Sequence, residues 1–109
     1  MNNYVFNKLH NANDGKHKYI AEYINRNTGR PKLIKFGAVN YKDYIIYNKE
    51  EGKTVADKKK RNYLARHRPK ENWDNELSAG YWSRWVLWNK PTLEQSFDYM
   101  KKHKLITLK

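Results

Sequence analysis

Lys58-Lys59-Lys60-Arg61 is the densest run of positive charge in the sequence, and Arg66, His67, Arg68 and Lys70 follow it closely. Side chains of these types do one kind of chemistry well: they hold anionic oxygen. A lysine ammonium is a compact point charge, whereas an arginine guanidinium is a rigid fork that grips a phosphate or a guanine edge through two parallel hydrogen bonds. On a helix, Lys59, Arg66 and Lys70 fall within about 60° of one another around the axis, and Lys58 and Arg61 form a second flank. A flank of this kind can follow a phosphate backbone. Lys58, Lys59, Lys60, Arg61, Arg66, His67, Arg68 and Lys70 are therefore the candidate nucleic-acid-binding residues, joined by Trp73, an aromatic set among polar neighbours that is either exposed for stacking or equally a plug of its loop onto the core. Two plainer readings stand beside this one. The run is also what a solvated helix face or a nuclear-localisation signal looks like. For Arg66 and Arg84, stacking on a tryptophan and pairing with Glu71 or Asp74 is the favoured role.

Other chemistries find little support in the residues. His10, His17, His67 and His103 are scattered, with no pair at the i, i+4 spacing that puts two imidazoles on one helix face, so no metal site is expected. Cysteine is absent, which removes disulfides, cysteinyl zinc and thiol nucleophiles. His67-Arg68-Pro69-Lys70-Glu71-Asn72 resembles part of a ββα-metal nuclease motif, but its acid–histidine pair and downstream histidine are missing. Glu71 and Asp74 are better explained by capping and by salt bridges to Arg66 or Arg68 than by general acid–base work. The glycines stand alone, without a phosphate-cradling loop. The expectation is a non-enzyme with no catalytic residues and no cofactor.

Bulk composition points the same way. Lys and Arg number 23 against 11 Asp and Glu, a formal net charge of +12 that attracts nucleic acid, anionic lipid or an acidic protein surface. The 109 residues suffice for one domain, 1–109, with one small core. Mean hydropathy is −1.13, yet 15% of residues are aromatic, and each buried aromatic can replace several aliphatics. Apolar runs stay well short of the roughly 20 residues that span a bilayer. The opening MNNYVFNKLH has no apolar stretch of the kind a secretory signal carries, so an intracellular protein is expected.

The elements that must position these residues read as α+β. Residues 1–17 are polar and expected to be loosely ordered, with Tyr4 to Phe6 a short strand. Residues 18–47 are β-rich: Lys18 to Arg26 and Lys32 to Phe36 flank the turn cluster Asn27-Thr28-Gly29-Arg30-Pro31, and Tyr44 to Tyr47 is expected as a third strand. Residues 53–104 read as helical. Thr54 is the expected N-cap of a helix from Val55 to His67. From Gly80 to Trp88, Tyr81, Trp82, Trp85, Val86 and Trp88 fall on one broad helical face opposite Ser83 and Arg84, which makes this the central helix. Its tryptophans read as core rather than as a stacking platform. Thr92 and Gln95 stand at capping-box spacing before a last helix carrying Leu93, Phe97 and Met100 on one side. The architecture expected is a small antiparallel sheet of three or four strands packed against two or three helices.

Three blocks in fixed order carry a family likeness: Lys35-Phe36-Gly37 with Tyr41-Lys42-Asp43-Tyr44; Tyr63-Leu64-Ala65-Arg66-His67-Arg68 leading into Glu71-Asn72-Trp73; and Ala79-Gly80-Tyr81-Trp82-Ser83-Arg84-Trp85 with Leu87-Trp88-Asn89-Lys90-Pro91-Thr92-Leu93. Over residues 32–99 the chain resembles an uncharacterised family of small proteins of giant DNA viruses of protists and algae. The resemblance implies provenance and supplies no catalytic residues. It places the protein in a virion or in the host cytoplasm and viral factory, with the nucleus as a further compartment.

Two functions are expected from these readings. The first is a basic viral protein that binds DNA or RNA mainly through phosphates, as in genome packaging. The second is a structural virion protein, a minor capsid or internal component, that docks onto an acidic protein partner.

Overall fold

A computed structural model of the chain describes residues 3–108. Three antiparallel strands, β1 (Tyr4–Asn11), β2 (His17–Asn25) and β3 (Pro31–Ala38), form a sheet in that order. Helices α1 (Tyr44–Glu51), α2 (Lys53–His67), α3 (Ala79–Trp82) and α4 (Leu93–Lys102) follow, with a π-helical turn, Ser83–Leu87, continuing α3. The α+β class and the three-stranded antiparallel sheet agree with the sequence reading.

Local chemistry sets the two hairpins. Asp14 accepts the backbone N–H groups of Lys16 and His17 at 2.9 and 2.7 Å, turning the chain between β1 and β2. Asn25 accepts those of Asn27 and Thr28 through its side chain, turning it again before β3. In register, Leu9, Ala21 and Ile34 align across the sheet, as do Asn11, Tyr19 and Phe36.

Two expectations about elements are overturned. Tyr44 to Tyr47 is helical, because Asp43 acts as N-cap and accepts the Ile46 N–H at 3.0 Å. The sheet's third strand is β1, which contains the strand expected at Tyr4 to Phe6 but runs on to Asn11, pairing with β2 around an irregularity between Phe6 and Lys8. Nor does Thr54 cap α2. The helix starts at Lys53, and Gly52, at φ 89° and ψ 170°, breaks it from α1 in one residue, a conformation in which any Cβ is strained.

Trp82 is fully buried at the centre of the core. Phe6 stacks on it at 5.5 Å between centroids, Phe36 lies at 5.8 Å, and Tyr23 meets it edge-on at 6.2 Å. Each such pair adds about 0.5–1.5 kcal/mol beyond the area it buries. The Trp82 indole N–H donates to the Glu76 carbonyl at 2.8 Å, while the Tyr23 hydroxyl and the Thr107 N–H donate to Glu76 Oε2 at 2.6 and 2.9 Å. Thr107 also donates its hydroxyl to Glu76 Oε1. Because the Phe6 N–H donates to the Thr107 carbonyl at 2.7 Å, Glu76 ties sheet, tryptophan and C-terminal segment together. Burial and the Glu76 carboxylate hold the Tyr23 hydroxyl far above the ordinary tyrosine range.

The π turn changes the helical face expected for this segment. Trp88 N–H reaches back to the Ser83 carbonyl at 3.1 Å, five residues away, so the wheel no longer advances by 100° per residue. Tyr81, Trp82, Val86 and Trp88 are buried as expected and Leu87 joins them, whereas Trp85 stays only partly buried.

Candidate functional site

Helix α2 holds most of the basic residues, and its packing sorts them into three groups. Ala56 and Tyr63 are its buried anchors. Tyr63 stacks on Trp88 at 4.3 Å with the planes 8° apart, and on His67 at 4.3 Å and 26°. Burial, with the charge of Glu71, pushes the Tyr63 hydroxyl up to about 12.

Lys60 shares that inward face. Its ammonium donates to the Asn89 carbonyl at 2.8 Å and sits 4.8 Å above the Tyr44 ring. Burial, and then the charges of Arg84 and Lys90, pull its pKa below the ordinary lysine value. Lys60 is thus part of the packing rather than of the solvent-facing run. Trp73 is likewise taken inward: it packs on the core, lies 6.4 Å from Tyr63, and has a buried indole nitrogen without a hydrogen-bond partner among the described residues. Of the two roles read for Trp73, the structure shows the plug onto the core and not the exposed stacking face.

Lys59, Arg66 and His67 form a second group on the wall of a cavity of about 820 Å³. Lys18, Gly37 and Ala38 close it from the sheet, Tyr41, Lys42 and Asp43 from the following loop, Tyr47 from α1, and Leu87 and Trp88 from the π turn and its end. Gly37, at φ 78°, makes the sheet wall possible, since a Cβ there would stand 2.7 Å from Leu87 Cδ1. The loop is pinned: Lys18 Nζ donates to Asp43 Oδ2 at 2.6 Å and to the Tyr41 carbonyl at 2.7 Å. Tyr41 nevertheless leaves its side chain largely in solvent, at 73% exposure. Lys42 is engaged by Glu50 and Glu51 at 3.0 and 3.3 Å, and both carboxylates raise its pKa. Lys59 and Arg66 form no ion pair with a carboxylate among the described residues. Lys59 Nζ lies 5.5 Å over the Tyr47 ring and Arg66 Nε donates to the Asn62 carbonyl at 3.4 Å.

Lys58, Arg61, Arg68 and Lys70 are the third group, exposed and without an ion pair among the described residues. Arg61 and Arg68 flank a shallow depression floored by Leu64, Ala65 and Pro69. Glu71 Oε1 lies 3.6 Å from His67 Nδ1 and forms no ion pair with Arg66 or Arg68. Arg84 does stack on tryptophan, 4.2 Å from the Trp85 ring and 5.9 Å from Trp73, and donates to the Trp88 carbonyl at 2.8 Å.

Residues the sequence did not single out are Lys18, Tyr41, Lys42 and Tyr47 of the cavity. The alternation of aromatic and basic residues in Tyr41-Lys42-Asp43-Tyr44 and Tyr47 is the signal that could have found them. Three or more His, Asp or Glu side chains placed to hold a metal ion do not occur among the described residues, and no described helix is long and apolar enough to cross a membrane. No protein-family model matches the chain, and comparisons with curated proteins and with solved structures give no match.

Proposed function

We propose that this protein binds nucleic acid without catalysis, through phosphate contacts made by α2 and the turn that follows it. The observation that supports this reading is the set Lys58, Lys59, Arg61, Arg66, Arg68 and Lys70, held on one helix and its end with no carboxylate neutralising them among the described residues. From Lys58 to Arg68 the helix rises about 15 Å, a length over which duplex DNA carries roughly nine phosphate charges. Contacts of this kind position a protein on a backbone without reading sequence. The resemblance to giant-virus proteins supports a viral genome as the polyanion.

Replacing Lys58, Arg61, Arg68 and Lys70 together by Gln tests the reading. All four are exposed, so the fold should survive. Duplex affinity should fall, and the slope of log K against log salt should flatten by about 3.6, close to 0.9 for each phosphate that is no longer neutralised. An unchanged slope would remove this surface from the interface. A protein that ignores nucleic acid but associates with an acidic protein would favour the virion-component role instead.

A further inference from the structure

We infer that the cavity between α2, the 39–43 loop and the end of the hairpin is a seat for one unpaired nucleotide of a single strand. The inference deepens the nucleic-acid reading and rests on it. Three observations carry it. The volume, about 820 Å³, lies in the range of small-molecule sites, about 300–1,000 Å³, whereas a helix flank alone needs no cavity to meet a duplex. The walls combine the aromatic rings of Tyr41 and Tyr47 with two cations, Lys59 and Arg66, that no carboxylate engages among the described residues. Stacking surface beside positive charge is what a base and its phosphate require together.

The third observation is the state of Tyr41. Exposed tyrosines on mobile loops lose entropy when they bind, but the Tyr41 backbone is already held by the Lys18 ammonium, itself fixed to Asp43. The ring is thus offered to solvent from a held backbone, at 73% exposure, among the residues lining a basic cavity. Such preorganisation lowers the ordering cost of binding. Base-paired nucleotides have no free face to present there. The site therefore favours single strands, while the outer flank of Lys58, Arg61, Arg68 and Lys70 accepts either form.

The test compares a labelled single-stranded oligonucleotide with a duplex of equal length at physiological salt, using the full chain and two variants. Tyr41→Ala should weaken single-strand binding about tenfold, the effect of one unstacked base, and Tyr41→Phe should restore it. Duplex binding should stay within about twofold in both variants, since Tyr41 lies off the outer flank. Equal binding of the two forms, insensitive to Tyr41→Ala, would overturn the nucleotide seat and leave the phosphate-contact reading standing. Failure of the unmodified chain to bind either form would overturn both. AMP included as competitor separates the two sources of a nucleotide: tighter binding of AMP than of any strand would make the occupant a free nucleotide and sink the single-strand assignment.

Discussion

Tyr63 of α2 lies flat against Trp88, 4.3 Å between centroids and 8° from parallel. That stack fixes which way α2 faces. With Tyr63 inward, Lys60 must also turn in, Lys59 and Arg66 reach the cavity, and Lys58, Arg61 and Arg68 are left outside. One aromatic pair thus distributes the charge of the whole helix.

Tyr63→Ala should cost about 3–5 kcal/mol, the range for truncating a large buried ring, whereas Tyr63→Phe keeps the stack and should cost less than about 1 kcal/mol. Urea denaturation followed by tryptophan fluorescence would measure both. Equal destabilisation would mean that the hydroxyl, not the ring, holds the helix.

Lys60 and Lys58 are two positions apart, yet their substitution should have opposite consequences. Lys60→Gln removes the hydrogen bond to Asn89 and the packing on Tyr44, and should cost about 1–2 kcal/mol with little change in the salt slope of binding. Lys58→Gln should leave stability within about 0.5 kcal/mol and flatten the slope by about 0.9. Thermal melts and salt titrations on the two variants would show whether this division is correct.

Part of this arrangement was legible in the sequence. The hairpin of β2 and β3 follows from β-branched and aromatic runs on either side of a turn cluster, and Thr92 caps α4 as expected, accepting the Gln95 N–H at 3.1 Å. Tyr44-Ile45-Ile46-Tyr47 misleads because strand-prone side chains also suit a helix whose buried face is aromatic, and the deciding residue is the Asp43 cap just before them. In β1, Asn, Lys and His mask a strand whose pairing comes from β2 rather than from local propensity. The basic side chains themselves could be named in advance. Their division could not, since it depends on Tyr63 meeting Trp88 and on a π turn that no residue spacing announces.

Gly37→Ala should be more damaging than Gly52→Ala. Both glycines have positive φ, at 78° and 89°, and share a backbone strain of about 1–3 kcal/mol once a Cβ is added. Only at Gly37 does the new atom also strike Leu87 Cδ1, at 2.7 Å, so denaturant midpoints should separate the two variants. Similar midpoints would show that the hairpin end and the π turn move apart freely.

Alkaline pH should unfold the protein through its tyrosines. Burial raises the hydroxyls of Tyr63 and Tyr81 to about 12, from an ordinary 10.0. A pKa higher in the folded state contributes stability that is complete below the unfolded value and is lost as pH rises through the folded one. The contribution of these two tyrosines should thus be constant up to about pH 10 and fall steeply between 10 and 12. Phenolate absorbance recorded beside circular dichroism would test this, and tyrosines that titrate near 10 with the fold intact would contradict it.

The central claim is that the unneutralised cations of α2 meet phosphates. It is tested most directly by fluorescence anisotropy of the unmodified protein with a short duplex, titrated from low to physiological salt. Contacts from the outer flank, Lys58, Arg61, Arg68 and Lys70, predict a slope of log K against log salt near −3.6, at about 0.9 per phosphate, with binding still measurable at physiological salt. A slope shallower than about −2, or no binding once physiological salt is reached, would contradict the account.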